Sequence, residues 1–296
     1  MNTGIDCIPC FVRQAAEAVG FCVADESRRA VVMRHILSEL ARLDWSGVPP
    51  ATAQILHRMI RKETGNTDPY RSMKENMNRL ALKLLPFLQN EARMQEDPGA
   101  AVLRLAVAGN LIDAGAKTGL KENDIRTMMC QTCQGECMKG SARELFQSAE
   151  LARKVLYLTD NAGEIVFDRA LIEMLPREKM VVGVRGSAVL NDATLVDAET
   201  AGLLGIVRVL SNGSDAPGIL LEDCSAEFRR VFDESDLIIA KGQGNFESLS
   251  DTSKHIFFLL QVKCACVAEH LGIPVGRMAI CERNDTTGKP RNCILQ

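Results

Sequence analysis

Four short polar runs in the second half of the chain carry residues that could do chemistry together. They are Asp160-Asn161-Ala162-Gly163-Glu164, Arg185-Gly186-Ser187 with Asn191-Asp192, Ser211-Asn212-Gly213-Ser214-Asp215, and Lys241-Gly242-Gln243-Gly244-Asn245. Asp160, Asn161 and Asp192 offer hard oxygen donors and two negative charges, a set that suits Mg²⁺, Mn²⁺ or a similar divalent cation. None of the four histidines lies in these runs, so a His-rich catalytic zinc is not expected. Lys241 with Gly242 and Gly244 places a cation beside bare backbone at a helix start, where amide groups and the helix dipole favour anions. A cation site next to an anion cradle is what phosphoryl chemistry requires. Singly, each run also has a plainer reading. An Asp or Asn after a strand is often a turn residue or helix cap, and KGQGN lacks the order of a nucleotide-binding P-loop.

The elements in front of these runs give them joint weight. Apolar stretches at 154–159, 180–184, 206–210 and 237–240 read as buried strands, each leading into one of the runs. A fifth stretch, 257–262, is short enough to be a strand and apolar enough to be a helix. Helical patterns fill 164–175, 194–203, 217–233 and 246–255. Such alternation predicts a parallel, doubly wound sheet. Its strands point one way, so their carboxyl ends form one edge, and ligands bind there. Residues from about 10 to 150 read as helices instead. Val32, Ile36, Leu40 and Leu43 recur at helical spacing, as do Met73, Met77, Leu80 and Leu84, and Asp25 can cap the first of these segments. Another helix is expected at about 100–116, with Gly109 inside it marking close packing or close ligand approach. The expected architecture is a helical domain, 1–150, packed on a Rossmann-like α/β domain, 151–296.

The chain of 296 residues has 46% hydrophobic and 25% charged residues and a formal net charge of -3, an ordinary globular composition. No basic stripe points to nucleic acid or an anionic membrane surface. No apolar run approaches the ~20 residues of a membrane helix, and the first residues lack signal-peptide character, so a cytoplasmic protein is expected. In a reducing compartment the eleven cysteines are core thiols, metal ligands or redox groups rather than disulfides. Cys7 and Cys10 form CxxC, and Cys130, Cys133 and Cys137 form CxxCxxxC. If the two groups met they could hold zinc or an iron–sulfur cluster; otherwise they are a reduced, unliganded set. Cys264 and Cys266, two apart, read as core positions on one side of a strand.

In order along the chain, Cys7-Ile8-Pro9-Cys10, Asp68-Pro69-Tyr70 with Lys74, Gly109-Asn110 with Asp113, DNAGE at 160–164, Asn191-Asp192 and KGQGN at 241–245 resemble the damage-control phosphatases. These ARMT-like proteins were long classed as a domain of unknown function, and the CxxC matches their prokaryotic branch. The resemblance covers nearly the whole chain. It implies a helical region packed on a Rossmann-like, mostly parallel sheet. The implied activity is divalent-metal-dependent hydrolysis of small phosphate esters, such as sugar phosphates or damaged phosphometabolites, with Mn²⁺, Co²⁺, Ni²⁺ or Mg²⁺. It assigns Asp160, Asn161 and Asp192 to the metal, and Lys241, Gly242, Gly244 and Asn245 to phosphate or substrate, with Lys241 stabilising the phosphoryl oxygens. Whether Asp160 attacks phosphorus or only holds the metal stays open.

Glu164 either orients water or supplies a favourable charge in a first helical turn. Asn110 and Asp113 share a helix face and either meet substrate or join the two regions. Lys74 either reaches an anionic substrate or is a solvated lysine. Three rivals remain. A carboxyl methyltransferase or other transferase in the same cleft would want a glycine-rich first turn, where only Gly163 stands. A non-catalytic phosphometabolite-binding protein would bind without turnover, and a cysteine-cluster redox protein would carry zinc or visible absorbance.

Overall fold

The computed structural model describes the backbone of residues 1–112, 121–134, 139–284 and 291–295, and the side chains of these except 133, 134, 139–141 and 291–295. Asp113, Cys137 and the side chain of Cys133 lie outside the described residues. The chain opens with three helices, α1 (Ile8–Cys22), α2 (Glu26–Leu40) and α3 (Pro49–Thr64). Asp25 caps α2 by accepting from Arg28 N at 2.6 Å, and Gly65, at φ +70, ends α3 in the left-handed region. Val32, Ile36 and Leu40 turn inward on one stripe against Phe11, Val19, Leu56 and Ile60, forming a small core of their own.

Further helices among the described residues are α4 (Arg71–Arg93), α5 (Pro98–Ala108), α6 (Glu122–Gln134) and α7 (Lys139–Leu151). Asp97 caps α5 through Ala100 N at 2.9 Å. Every side chain from Ala100 to Ala108 is buried, because α5 lies against α4, α6, α7 and the sheet-covering helix described next. The helix expected over 100–116 is interrupted at Gly109, and residues 110–112 are helical again. A Cβ on Gly109 would lie 2.8 Å from Glu164 Cγ, so close packing explains the glycine.

Among the described residues the sheet has seven strands: β1 (Val155–Leu158), β2 (Met180–Val184), β3 (Arg208–Ser211), β4 (Leu237–Lys241), β5 (Ile256–Gln261), β6 (Met278–Arg283) and β7 (Arg291–Leu295). Their order is β3-β2-β1-β4-β5-β6-β7. The first five are parallel, β6 pairs antiparallel with β5, and β7 pairs antiparallel with β6. The intervening helices are α8 (Glu164–Ile172), α9 (Leu195–Thr200), α10 (Ala226–Glu234), α11 (Gln243–Leu249) and α12 (Ala265–Leu271). The ambiguous stretch near 257 is a strand. The helical pattern read at 217–233 begins only at Ala226, after a loop and a short 3-10 turn.

Strand residues alternate between two faces. Val155, Tyr157, Val182, Ile239 and Phe257 join α4, α5 and α8 in the larger core. Leu156, Leu158, Ile238 and Phe258 meet Phe228, Phe232 and Phe246 on the other side. The larger core therefore runs from the helical half into the sheet, while α1–α3 keep a separate core and reach the sheet layer where α3 packs on α11.

Candidate functional site

Strand order grows one way from β1 through β2 to β3 and the other way from β4 to β5, so β1 and β4 flank the switch point where ligands bind in such sheets. Asp160 leaves β1 there. Gly242, at the end of β4, has φ +81 and ψ 163, and a Cβ on it would lie 2.1 Å from Asp160 Cγ. Both the backbone angles and the space require glycine. The loop after β2 comes alongside: Ala193 N donates to Asp160 O and Ala162 N to Asn191 O, each at 2.8 Å. An isolated antiparallel bridge pairs Asn161 with Asp192. Backbone bonds thus bring Asp160, Asn161 and Asp192 side by side from two strand ends. All three are buried, at 7%, 5% and 3% exposure.

Asn161 Nδ2 is shared among Asp160 Oδ2 at 2.7 Å, Glu164 Oε2 at 3.2 Å and Asn110 Oδ1 at 3.4 Å, which leaves its carbonyl oxygen for a cation. Asp192 Oδ2 accepts from Arg185 Nε at 2.7 Å. Arg185 also reaches Gly218 O at 3.1 Å and Asn245 Oδ1 at 3.0 Å. Burial pushes the Asp192 carboxyl up to about 6; Arg185 opposes the shift and the Asp160 charge adds to it. Burial likewise raises Glu164 to about 8, against Lys241 and with the charges of Asp160 and Asp168. Buried carboxylates that disfavour one another's ionisation form a site a cation would relieve.

Oxygen donors of this kind fit a hard divalent ion. Among the described residues no group of three or more His, Cys, Asp or Glu is placed to hold a metal; the set here needs the Asn161 amide between its two carboxylates.

The sequence reading put Lys241 on the phosphate, and the fold gives it other work. Its side chain is fully buried. Its ammonium donates to Asp168 Oδ1 at 2.5 Å, Glu164 Oε1 at 2.6 Å and Ala106 O at 2.9 Å, which uses all three N–H groups. Burial would lower its pKa, but Asp168 and Glu164 outweigh that and hold it above the usual lysine value. Tyr157 also donates to Asp168 Oδ1, at 2.8 Å. Both glycines of KGQGN also answer to close packing. Gly242 makes room for Asp160, and Gly244 makes room for Pro217 O, which a Cβ would approach to 2.0 Å. The Asn245 amide donates to Lys241 O at 2.7 Å and Thr159 O at 3.1 Å, tying β4 to β1.

The helical half supplies the roof. Asn78 Oδ1 accepts from Gly163 N at 2.7 Å, and its Nδ2 donates to Asp197 Oδ1 at 2.8 Å. Lys74 is neither solvated nor alone: it is buried, with Nζ 3.0 Å from Asp197 Oδ2 and 3.9 Å from Asp68. It also favours the charged form of Asp192. Asn110 is buried beside Asn161. The Nδ2 atoms of Asn110 and Asn191 are buried with no hydrogen-bond partner, two donors at this edge that an anionic ligand could satisfy. A Cβ on Gly163 would meet Met77 and Ile112 at 3.0 and 3.1 Å, so side chains close the turn that a cofactor-binding transferase would leave open.

The sequence reading missed Asp168, Asp197 and Tyr157, and gave no role to Asn78 or Arg185. Arg185 alone had a local signal, its place directly after β2.

The two cysteine groups do not meet among the described residues. Cys130 packs on the larger core near Glu91 and Arg126. Cys7 instead faces Cys266 and Cys264. Cys264 and Cys266 are not strand core: Cys264 precedes α12 and Cys266 lies in its first turn, both half-buried.

The damage-control phosphatase ARMT1-like domain matches residues 3–279. The damage-control phosphatase PH1575 of Pyrococcus horikoshii is 32% identical over 292 residues, covering 96% of this chain and 99% of its own. A damage-control phosphatase of Archaeoglobus fulgidus is 38% identical over 229 residues, covering 75% and 78% respectively. The crystal structure of a DUF89 family protein from Pyrococcus horikoshii superposes with a TM-score of 0.87 at 31% identity, over 96% of this chain and 100% of that one.

Proposed function

The chain belongs to the damage-control phosphatase ARMT1-like family, which supports a phosphatase role, and from that premise we propose a divalent-metal-dependent hydrolase of small phosphomonoesters, acting in the cytoplasm. The observation that carries it is the backbone bridge between Asn161 and Asp192, which sets two strand-end carboxylates and an amide oxygen together at the switch point. Asp160, Asn161 and Asp192 would hold Mn²⁺, Co²⁺, Ni²⁺ or Mg²⁺, and such an ion supplies charge neutralisation to an incoming phosphate. Arg185 orients Asp192 and offsets its charge. The buried Lys241–Asp168–Tyr157 group fixes Glu164 beside Asn161. From there Glu164 can orient a water molecule by hydrogen bonding. The unsatisfied amides of Asn110 and Asn191 donate to the phosphate or to substrate hydroxyls, and Lys74 adds positive potential. A sugar phosphate or damaged phosphometabolite suits a site so rich in hydrogen-bonding groups. The free thiols among the described cysteines fit a reducing compartment, and no described helix is long and apolar enough to cross a membrane.

The test is phosphate release by metal-stripped protein from a panel of phosphate esters, with each ion added back in turn. Release that requires the ion and falls at least ~10²-fold in both Asp160→Ala and Asp192→Asn is expected. Ion-independent release, or release that survives both substitutions, would overturn the assignment.

A further inference from the structure

Cys7 and Cys10 stand at the start of α1, Cys264 and Cys266 at the start of α12, and the phosphatase reading uses none of them. The fold brings these segments together. The 3-10 turn Ile5–Cys7 packs on α12, where the Cys7 and Cys266 thiols lie within interaction range of each other. Cys264 lies close enough to act on both electrostatically, and its sulfur accepts from Gln243 Nε2 at 3.4 Å. Gln243 opens α11 directly after the Gly242 corner that seats Asp160, and its Oε1 accepts from Lys263 N at 2.9 Å. Both thiols of the contacting pair are free and only half-buried. The arrangement is a pair in contact rather than a cage, since among the described residues no three cysteines are placed to hold a metal.

We propose that Cys7 and Cys266 form a redox pair that a peroxide closes to a disulfide, pinning the N-terminal turn to α12 beside the carboxyl edge of the sheet. Cys7 forms the thiolate and attacks a peroxide oxygen; the O–O bond breaks, hydroxide leaves, and a sulfenic acid forms. Cys266 then attacks that sulfur; the S–S bond forms, the S–O bond breaks, and the Cys266 proton departs with the oxygen as water. With the proton first lost by Cys7, one hydrogen peroxide and two thiols give one disulfide and two waters. Burial keeps both thiols protonated at neutral pH, with Cys266 at about 11, so the pair is slow to oxidise and closes faster in mild base.

The full chain, reduced and then treated with hydrogen peroxide, is alkylated and digested. The expected product joins peptide 1–13 to peptide 264–277 with a mass loss of ~2 Da, reversed by a thiol reductant. It persists in Cys10→Ser, Cys264→Ser and Cys22→Ser and disappears in Cys7→Ser and Cys266→Ser, with Cys7→Ala and Cys266→Ala as second variants should serine disturb folding. A cross-link lost instead in Cys10→Ser or Cys264→Ser overturns the pairing. So does a Cys7 that over-oxidises while Cys266 stays alkylatable, or one zinc per chain that protects both thiols. None of these outcomes depends on phosphatase activity.

Discussion

One added carbon at Gly242 meets both the Asp160 carboxylate and a backbone region open only to glycine. Gly242→Ala is expected to cost ~1–3 kcal/mol from the backbone alone. By displacing Asp160 it should also weaken Mn²⁺ binding ~10- to 100-fold, read by titration calorimetry alongside thermal melting. Unchanged Mn²⁺ affinity would place the ion away from Asp160. Lys241 makes the opposite kind of prediction, because its contacts are to buried acids. Lys241→Met leaves Glu164 and Asp168 without their cation, which is expected to cost ~3–5 kcal/mol in urea unfolding. Adding Glu164→Gln and Asp168→Asn should restore part of that loss. Were Lys241 a phosphate contact, the single substitution would raise KM and leave the unfolding midpoint in place.

Helix α3 is where the helical half grips the loop after β3. Gln54, Arg58 and Arg61 bond Asp215, and Gln54 and Arg58 also bond Asp223. His57 sits among them, buried at 3% exposure. Burial, helped by Arg61, lowers it to about 4 from the ordinary 6.5. The folded state then excludes a proton that the unfolded chain accepts below pH 6.5. The His57 contribution is therefore full above that pH and lost as pH falls toward 4, by at most ~3 kcal/mol. Asp192, raised to about 6, runs the other way over much of this window. The difference between wild type and His57→Gln isolates the histidine: unfolding free energies measured from pH 4 to 7 should show the variant gaining on wild type as pH falls. Parallel curves would refute it.

For the molecule as a whole, the cleft stores like charge that the fold tolerates by keeping it partly protonated. Glu164 is raised to about 8, so its folded state holds a proton that the unfolded chain releases near 4.5, and stability drops as pH rises through 8. His57 is neutral in both states above pH 6.5, and Lys241 is charged in both up to the usual lysine range, so neither masks this between pH 6.5 and 8. Metal-stripped protein should therefore melt lower at pH 8 than at pH 6.5. Mn²⁺ at ~100 times its Kd stabilises by ~2.7 kcal/mol, and tighter binding at pH 8 should make the melting shift at a fixed Mn²⁺ concentration larger there. Equal shifts at the two values would mean that no buried carboxyl loses a proton to the ion.

The strands β1 to β4 were legible because each is an apolar run with a polar end, and period and composition are local properties; β5, an apolar run without such an end, stayed open between strand and helix. The same locality made Asp160, Asn161 and Asp192 readable as oxygen donors gathered on one edge, since parallel strands must share their carboxyl end. Strands β6 and β7 and helix α12 went unread, because β6 owes its place to antiparallel pairing with β5 and α12 is only seven residues long. The side-chain partners were not legible either. Lys241 beside two glycines looks like an anion site until the fold sets Glu164 and Asp168 against it. Gly242 looks like a helix start until Asp160 fills the space a side chain would take. Cys7 looks paired with Cys10 until α12 brings Cys266 to it. Local sequence determined which atoms could do chemistry and at which edge of the sheet. Only the tertiary structure decided which charges neutralise one another, because that depends on distances between segments far apart along the chain.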